Sequence, residues 1–237
     1  MGKDIDGKKV GVAPTAHVAS EAGVQFAYLG DVSLSRAIRY GILRGIKQGY
    51  DAVGFLDDDA RIKDPPHAMR QFLKGSRQKW GAFGPLHQMR VWQKYKNDPG
   101  SGFHEISLGR ATSGCQVYGM PFLLMGRKLI FNLLNVVEWW SDYSLFMIAH
   151  SLGFKIGEVY TPFLHVPCGQ KLRRHQIKFE DAEKVWRKRR QLMIEDAKRI
   201  VTFFEEYNPA YVPYARLLYD SAKRSVNPFD LRSRGAL

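Results

Sequence analysis

The sequence predicts an α/β layer fold, a mostly parallel central sheet flanked by helices, followed by a helical C-terminal extension. Three observations predict it. Residues 8–84 alternate short apolar segments with helix-period segments, in the order strand, helix, strand, helix, strand. Within them, Tyr50-Asp51 leads into Ala52-Val53-Gly54-Phe55-Leu56, an apolar run without alternation, as expected of a central strand buried on both faces. From residue 179 onward the pattern is one long charged helix and then a shorter one.

Lys8-Lys9-Val10-Gly11-Val12-Ala13 reads as a short buried strand stopped by Pro14, and residues 24–29 as a second. Gly30-Asp31-Val32-Ser33 supplies a turn and an N-cap for a helix from Leu34 to Gln48. Leu34, Ile38, Ile42 and Ile46 give that helix one apolar face. Gly41 and Gly45 each weaken it by about 1 kcal/mol relative to Ala, so their spacing implies a face pressed closely against another backbone. Gly49 ends it. After the strand that ends at Leu56, Asp64 and Pro65 open a helix carrying Met69, Phe72 and Leu73, and residues 82–84 end a further strand.

Residues 85–113 are polar, glycine-rich and aromatic, and read as a long functional loop. Strand-like 115–118, helix-like 128–134, a helix from Ser141-Asp142 to Leu152 closed by Gly153, and strand-like 154–160 leading to His165 follow. One helix is expected over 179–207, ended by Pro209, and another over 211–224. The expected division is a domain of residues 1–170 and a basic helical extension of 171–237.

The 237 residues, 45% of them hydrophobic, suffice for one sizeable core, and 13% aromatic content argues against disorder. Two cysteines, Cys115 and Cys168, make no disulfide framework, so a reducing cytoplasm is the expected compartment. No apolar run reaches the roughly 20 residues that span a bilayer, and the first residues lack a signal-peptide pattern. A formal net charge of +13 points to polyanionic partners: nucleic acid, an anionic membrane surface or phosphorylated substrates.

Three carboxylates, Asp57-Asp58-Asp59, follow directly on the apolar strand. Adjacent like charges repel, and a partly buried carboxylate carries a desolvation cost. A divalent cation relieves both. In an extended segment Asp57 and Asp59 point the same way and Asp58 opposite, which sets two hard oxygen ligands on one side for Mg²⁺ or Mn²⁺. In open α/β sheets, ligands bind beyond the carboxyl ends of the strands. The competing reading is a solvated acidic turn.

The stretch from Gly30-Asp31 through Ala37-Ile38-Arg39-Tyr40-Gly41-Ile42 to Gly49-Tyr50-Asp51-Ala52-Val53-Gly54-Phe55-Leu56-Asp57-Asp58-Asp59 resembles the centre of family 2 glycosyltransferases with the GT-A fold. The likeness continues in Ser113-Gly114-Cys115 and Phe122-Leu123-Leu124-Met125-Gly126-Arg127, similar to an acceptor-side strand and arginine-bearing segment. It extends to Glu138-Trp139-Trp140-Ser141-Asp142, similar to the motif bearing the catalytic base, and to Tyr160-Thr161-Pro162-Phe163-Leu164-His165, similar to a late histidine. Together these cover residues 30–165. The resemblance implies a nucleotide-sugar donor, UDP-sugar first, and a Mn²⁺ or Mg²⁺ ion. It implies Asp57 on the nucleotide ribose or the metal, Asp59 on the metal, and His165 completing the metal shell or touching the diphosphate. Asp142 becomes the general base of an inverting transfer, and Pro14, Thr15, Arg36 and Arg173 become donor-binding residues.

The chain departs from the family's pattern where residues 16–24 are too short for a full base-recognition unit. The acidic pair before the helix is reduced to Ser141-Asp142 with Glu138 nearby, and Gln170-Lys171-Leu172-Arg173-Arg174 lacks a following tryptophan. Residue by residue, Asp142 also reads as an ordinary helix N-terminal carboxylate, His165 as a structural histidine and Arg173 as part of a solvated basic loop.

The acceptor is expected to be a polyanion. Lys184, Arg187, Lys188, Arg189 and Arg190, with Trp186, suit the phosphates of DNA carrying a hydroxylated base, slightly ahead of a membrane-associated glycan such as a surface polysaccharide or lipid-linked sugar. The same residues also read as a solvated helix face paired with Glu183, Glu195 and Asp196. Two further functions compete: nucleotidyl transfer, for which residues 10–33 lack a glycine-rich phosphate loop, and a non-enzymatic nucleic-acid-binding module.

Overall fold

The computed structural model describes residues 2–3, 9–10, 33–57, 60–62, 64–77, 80–85, 103–108, 115–159, 163–165 and 179–224. Its strands are β1 (Gly2–Lys3), β2 (Lys9–Val10), β3 (Ala52–Leu56), β4 (Ala60–Ile62), β5 (Trp80–Pro85), β6 (Phe103–Glu105), β7 (Cys115–Gly119), β8 (Lys155–Val159) and β9 (Phe163–His165). The helices are α1 (Leu34–Gln48), α2 (Pro65–Arg77), α3 (Met120–Met125), α4 (Arg127–Val136), α5 (Ser141–Ser151), α6 (Phe179–Tyr207) and α7 (Val212–Arg224), with a 3₁₀ turn at Pro209–Tyr211.

The architecture is α/β, but the main sheet is mixed rather than mostly parallel. Its five strands run in the order β3-β7-β5-β8-β6, and of the four pairings only β5–β8 is parallel. A parallel neighbour needs a crossover of a dozen or more residues, usually a helix. The chain between β5 and β7, residues 86–114, is long enough for one, yet β7 enters antiparallel between β3 and β5. The strand ending at Leu56 is therefore not a central parallel one. Among the described residues it pairs on one side only, with β7, and Leu56 is exposed. Of the predicted strand at 8–13 only Lys9–Val10 lie among the described residues, and they pair with Gly2–Lys3 apart from the main sheet.

Helices cover both faces. On one, α2 packs its Ala68 and Phe72 over Trp80, Phe83, Val117 and Val159. On the other, α1, α3, α4 and α5 close over Ala82, Tyr118 and Ile156. The alternation of Phe83 with Ala82 and of Val117 with Tyr118 between these faces is the period-two rule of a strand. An irregularity between Trp80 and Ala82 lets Trp80 and Phe83 share a face.

Helix α1 starts and stops as its residues dictate. The Ser33 side chain accepts the Arg36 N–H, and Gly49 ends the helix in the left-handed region at φ 69°. Its glycine face lies on side chains of β3: a Cβ at Gly45 would collide with Val53, and one at Gly41 with the Phe55 ring. Falling residue numbers in α1 thus match rising numbers in β3. The two elements are antiparallel, which brings the start of α1 to the edge where β3 ends.

The C-terminal helices join the same core. Ala197, Ile200 and Phe204 of α6 and Ala215 and Leu218 of α7 are buried in one cluster with Ile38, Tyr118, Leu133 and Phe146. At the far end of α5, His150 Nδ1 lies 2.7 Å from the Tyr211 hydroxyl. No helix among the described residues is long and apolar enough to cross a membrane.

Candidate active site

The site is built at the carboxyl ends of β3, β5 and β8, which point the same way. Asp57 follows directly on β3 and is half-buried. Cys115, which begins β7, is the Cα partner of Leu56 and is buried on the α2 face. Asp142 arrives from α5. The turn at residues 152–154, with Gly153 at φ 78°, reverses the chain from α5 into β8, so α5 runs back along the sheet. A Cβ at Gly81 would meet Ala149 at 2.9 Å, and Asp142 lies seven residues before Ala149 on α5. That is about 10 Å along the axis, towards the carboxyl end of β5.

Electrostatics mark these groups as one cluster. Burial pushes the Asp142 carboxyl from 3.8 up to about 7; the Tyr143 N–H opposes the rise and the charge of Asp57 adds to it. Burial also pushes the Cys115 thiol up to about 12, with Asp57 again adding. Tyr118 is raised well above its ordinary value, by burial first and then by Asp142, Cys115 and Asp57. Its hydroxyl is buried without a hydrogen-bond partner among the described residues. A carboxyl held near neutrality can take up a proton at physiological pH, which an ordinary aspartate does poorly.

Helix α5 has no side-chain cap of its own. The connection before it, residues 138–140, is held instead by α6, and Ser35 N–H donates to the Glu138 carbonyl at 3.3 Å. Beside this connection, Ser33, Arg36, Asn135, Glu138 and Arg199 line a cleft of ≈ 630 Å³. Arg36 thus sits at the same edge of the sheet as Asp57, by the antiparallel run of α1 against β3.

Asp57, Asp142 and Arg36 are therefore brought to one edge. Pro14, Thr15, Asp59 and Arg173 lie outside the described residues, as does the side chain of His165. The backbone of β9 is placed, and it pairs with β4 so that His165 is opposite Ala60, the residue after Asp59. Among the described residues no group of three His, Cys, Asp or Glu side chains converges. Of the three expected ligands, Asp57 alone has a described side chain, and its negative charge adds to the burial that raises Cys115 and Asp142.

Comparison with protein-family models, with curated proteins and with solved structures finds no match for this chain.

Of the basic cluster on α6, Arg189 stacks over the Trp139 ring at 4.1 Å and Arg190 donates to the Lys223 carbonyl at 2.6 Å. Those two guanidiniums serve intramolecular contacts. Sequence reasoning did not single out Tyr118 or Asp196 for the site. Asp196 carried a readable signal: it falls with Met193, Ala197, Ile200 and Phe204 on the apolar stripe of α6.

Proposed function

We propose that this protein is a metal-dependent glycosyltransferase that moves a sugar from a nucleotide-sugar, UDP-sugar first, to an acceptor hydroxyl with inversion. The observation that carries the reading is the Asp142 carboxyl, raised to about 7 beside Asp57 at the carboxyl edge of the sheet. Asp142 takes the proton of the acceptor hydroxyl as its oxygen forms the bond to the anomeric carbon. The bond from that carbon to the diphosphate breaks on the opposite face, and the nucleotide diphosphate leaves. Asp57, Asp59 and His165 are the residues that would hold Mn²⁺ or Mg²⁺, whose charge stabilises the departing diphosphate. Arg36 offers a guanidinium at the same edge for donor phosphates.

The acceptor is a polyanion, DNA with a hydroxylated base ahead of a membrane-associated glycan. The net charge of +13 and the exposed Arg187 and Lys188 support that order. The test is a panel of nucleotide-sugars with Mn²⁺, with and without EDTA, against hydroxymethylated DNA, lipid-linked sugars and short glycans. Transfer that EDTA abolishes, and that Asp142→Asn loses, supports the reading. DNA binding with no turnover of any donor favours a binding module instead.

A further inference from the structure

Asp196 is a carboxylate in the wrong place for a solvated helix face. It is 1% exposed, on the stripe of α6 that packs into the core. A buried carboxylate is costly unless hydrogen bonds compensate it. Here the compensation is concentrated on one short segment of chain. Its Oδ2 accepts the backbone N–H of Glu138 at 2.8 Å, of Trp140 at 3.2 Å, and of Trp139 between them. Its Oδ1 lies 3.4 Å from Arg199 Nη1, and the same nitrogen donates to the Val136 carbonyl at 3.1 Å. The Trp140 indole N–H adds a bond to the Met193 carbonyl at 2.9 Å. Three successive N–H groups aimed at one anion form an anion-binding concavity, filled here by the protein's own side chain.

The segment held in this way leads directly into the candidate base. Trp140 is the N-cap of α5, and Asp142 lies in the first turn. With no side-chain cap from residues 138–140 themselves, the entry of α5 is set from α6. We propose that Asp196 is a positioning residue: by holding residues 138–140 it fixes the first turn of α5 and the direction of the Asp142 carboxyl. The inference rests on the reading of Asp142 as the base. Asp196 itself touches no substrate. It makes the C-terminal helix part of the site's framework, whereas the sequence alone assigns that helix to acceptor binding.

The test uses the full chain with Asp196→Asn, which keeps size and one acceptor but loses the charge. Trp140→Phe, which removes the indole tie to Met193 and trims the ring that packs on Tyr143 while leaving the Asp196 carboxylate in place, serves as a milder second variant should the first fold poorly. Two readouts separate positioning from simple stability. In amide exchange, the N–H groups of Glu138, Trp139 and Trp140 and that of Tyr143, which donates to Asp142, are expected to exchange roughly tenfold faster or more. In turnover of a UDP-sugar with Mn²⁺, kcat is expected to fall about tenfold to hundredfold while donor Kd holds. Faster exchange confined to 138–140, with Tyr143 and kcat at wild-type values, overturns the proposal. Wild-type protein that turns over no donor, or Asp142→Asn that turns over normally, sinks the base reading instead; the Tyr143 amide then decides the positioning claim alone.

Discussion

Asp142 sits where a carboxylate is uncomfortable, half-buried and within reach of the charge of a second carboxylate at Asp57. Asp142→Asn keeps the shape and cannot accept the proton, so turnover should fall about 10²-fold or more, with donor binding measured by calorimetry unchanged. In metal-free buffer the same variant has a signature in stability. The unfolded carboxyl titrates near 3.8 and the folded one near 7, so between these values the folded chain holds the extra proton. The stability this group contributes is complete below the unfolded value and is lost as pH rises through about 7. Asp142→Asn escapes that loss. Its stability relative to wild type should rise from pH 4 to pH 7 and then level, by at most about 4 kcal/mol. Denaturant midpoints that track wild type across this range would show that the carboxyl is not raised. Mn²⁺ bound at Asp57 should lower the midpoint of the wild-type pH–rate profile, because it removes the like charge.

At the scale of elements, α1 shows how far local pattern reaches. Its bounds, its Ser33 cap and its Gly49 stop were all legible, because each depends on residues within a few positions. The tight approach at Gly41 and Gly45 was legible too, although the surface met is the side chains of β3 rather than its backbone. Gly45→Ala gains about 1 kcal/mol of helix propensity but collides with the branched Val53, for a net loss of about 1–2 kcal/mol in urea unfolding. Gly41→Ala should be milder, since the Phe55 ring edge can swing aside; equal losses at both positions would contradict this packing. Strand direction was not legible. An apolar run is the same in a parallel and an antiparallel sheet, and the neighbour of β3 is β7, far along the chain. The candidate site divides the same way. Asp57 and Asp142 stood out by their motifs, whereas the buried hydroxyl of Tyr118 reads as one more core aromatic until the carboxylates around it are placed.

For the whole molecule, the question is whether the C-terminal helices are an appendage. Ala197, Ile200, Phe204, Ala215 and Leu218 share one core with Ile38, Tyr118 and Leu133, so a chain ending at residue 170 leaves that core open. Such a truncation should lose cooperative thermal unfolding and bind a hydrophobic dye. A sharp transition in the truncated chain would establish an autonomous domain. The basic cluster is tested by salt. If the Arg187–Arg190 face binds DNA, log affinity falls with log salt by roughly 0.9 per phosphate contacted. Arg187→Gln with Lys188→Gln should flatten the slope. Arg189→Gln and Arg190→Gln should instead loosen the contacts with Trp139 and Lys223. Binding to anionic vesicles, lost in the first pair and absent for DNA, would move the acceptor to a membrane.

Helix α5 is anchored at both ends by residues made much later, its entry by Asp196 and its far end by Tyr211 at His150. During synthesis, the strands and α5 leave the ribosome before either anchor exists. The backbone N–H groups of 138–140 must then be satisfied by water, and the core that α5 shares with α1 and α4 lacks Ala197, Ile200, Phe204, Ala215 and Leu218 until α6 and α7 emerge. A stalled nascent chain released before residue 196 should therefore be recognised by holdase chaperones and cut readily between β7 and β8, whereas one extended past residue 224 should resist both.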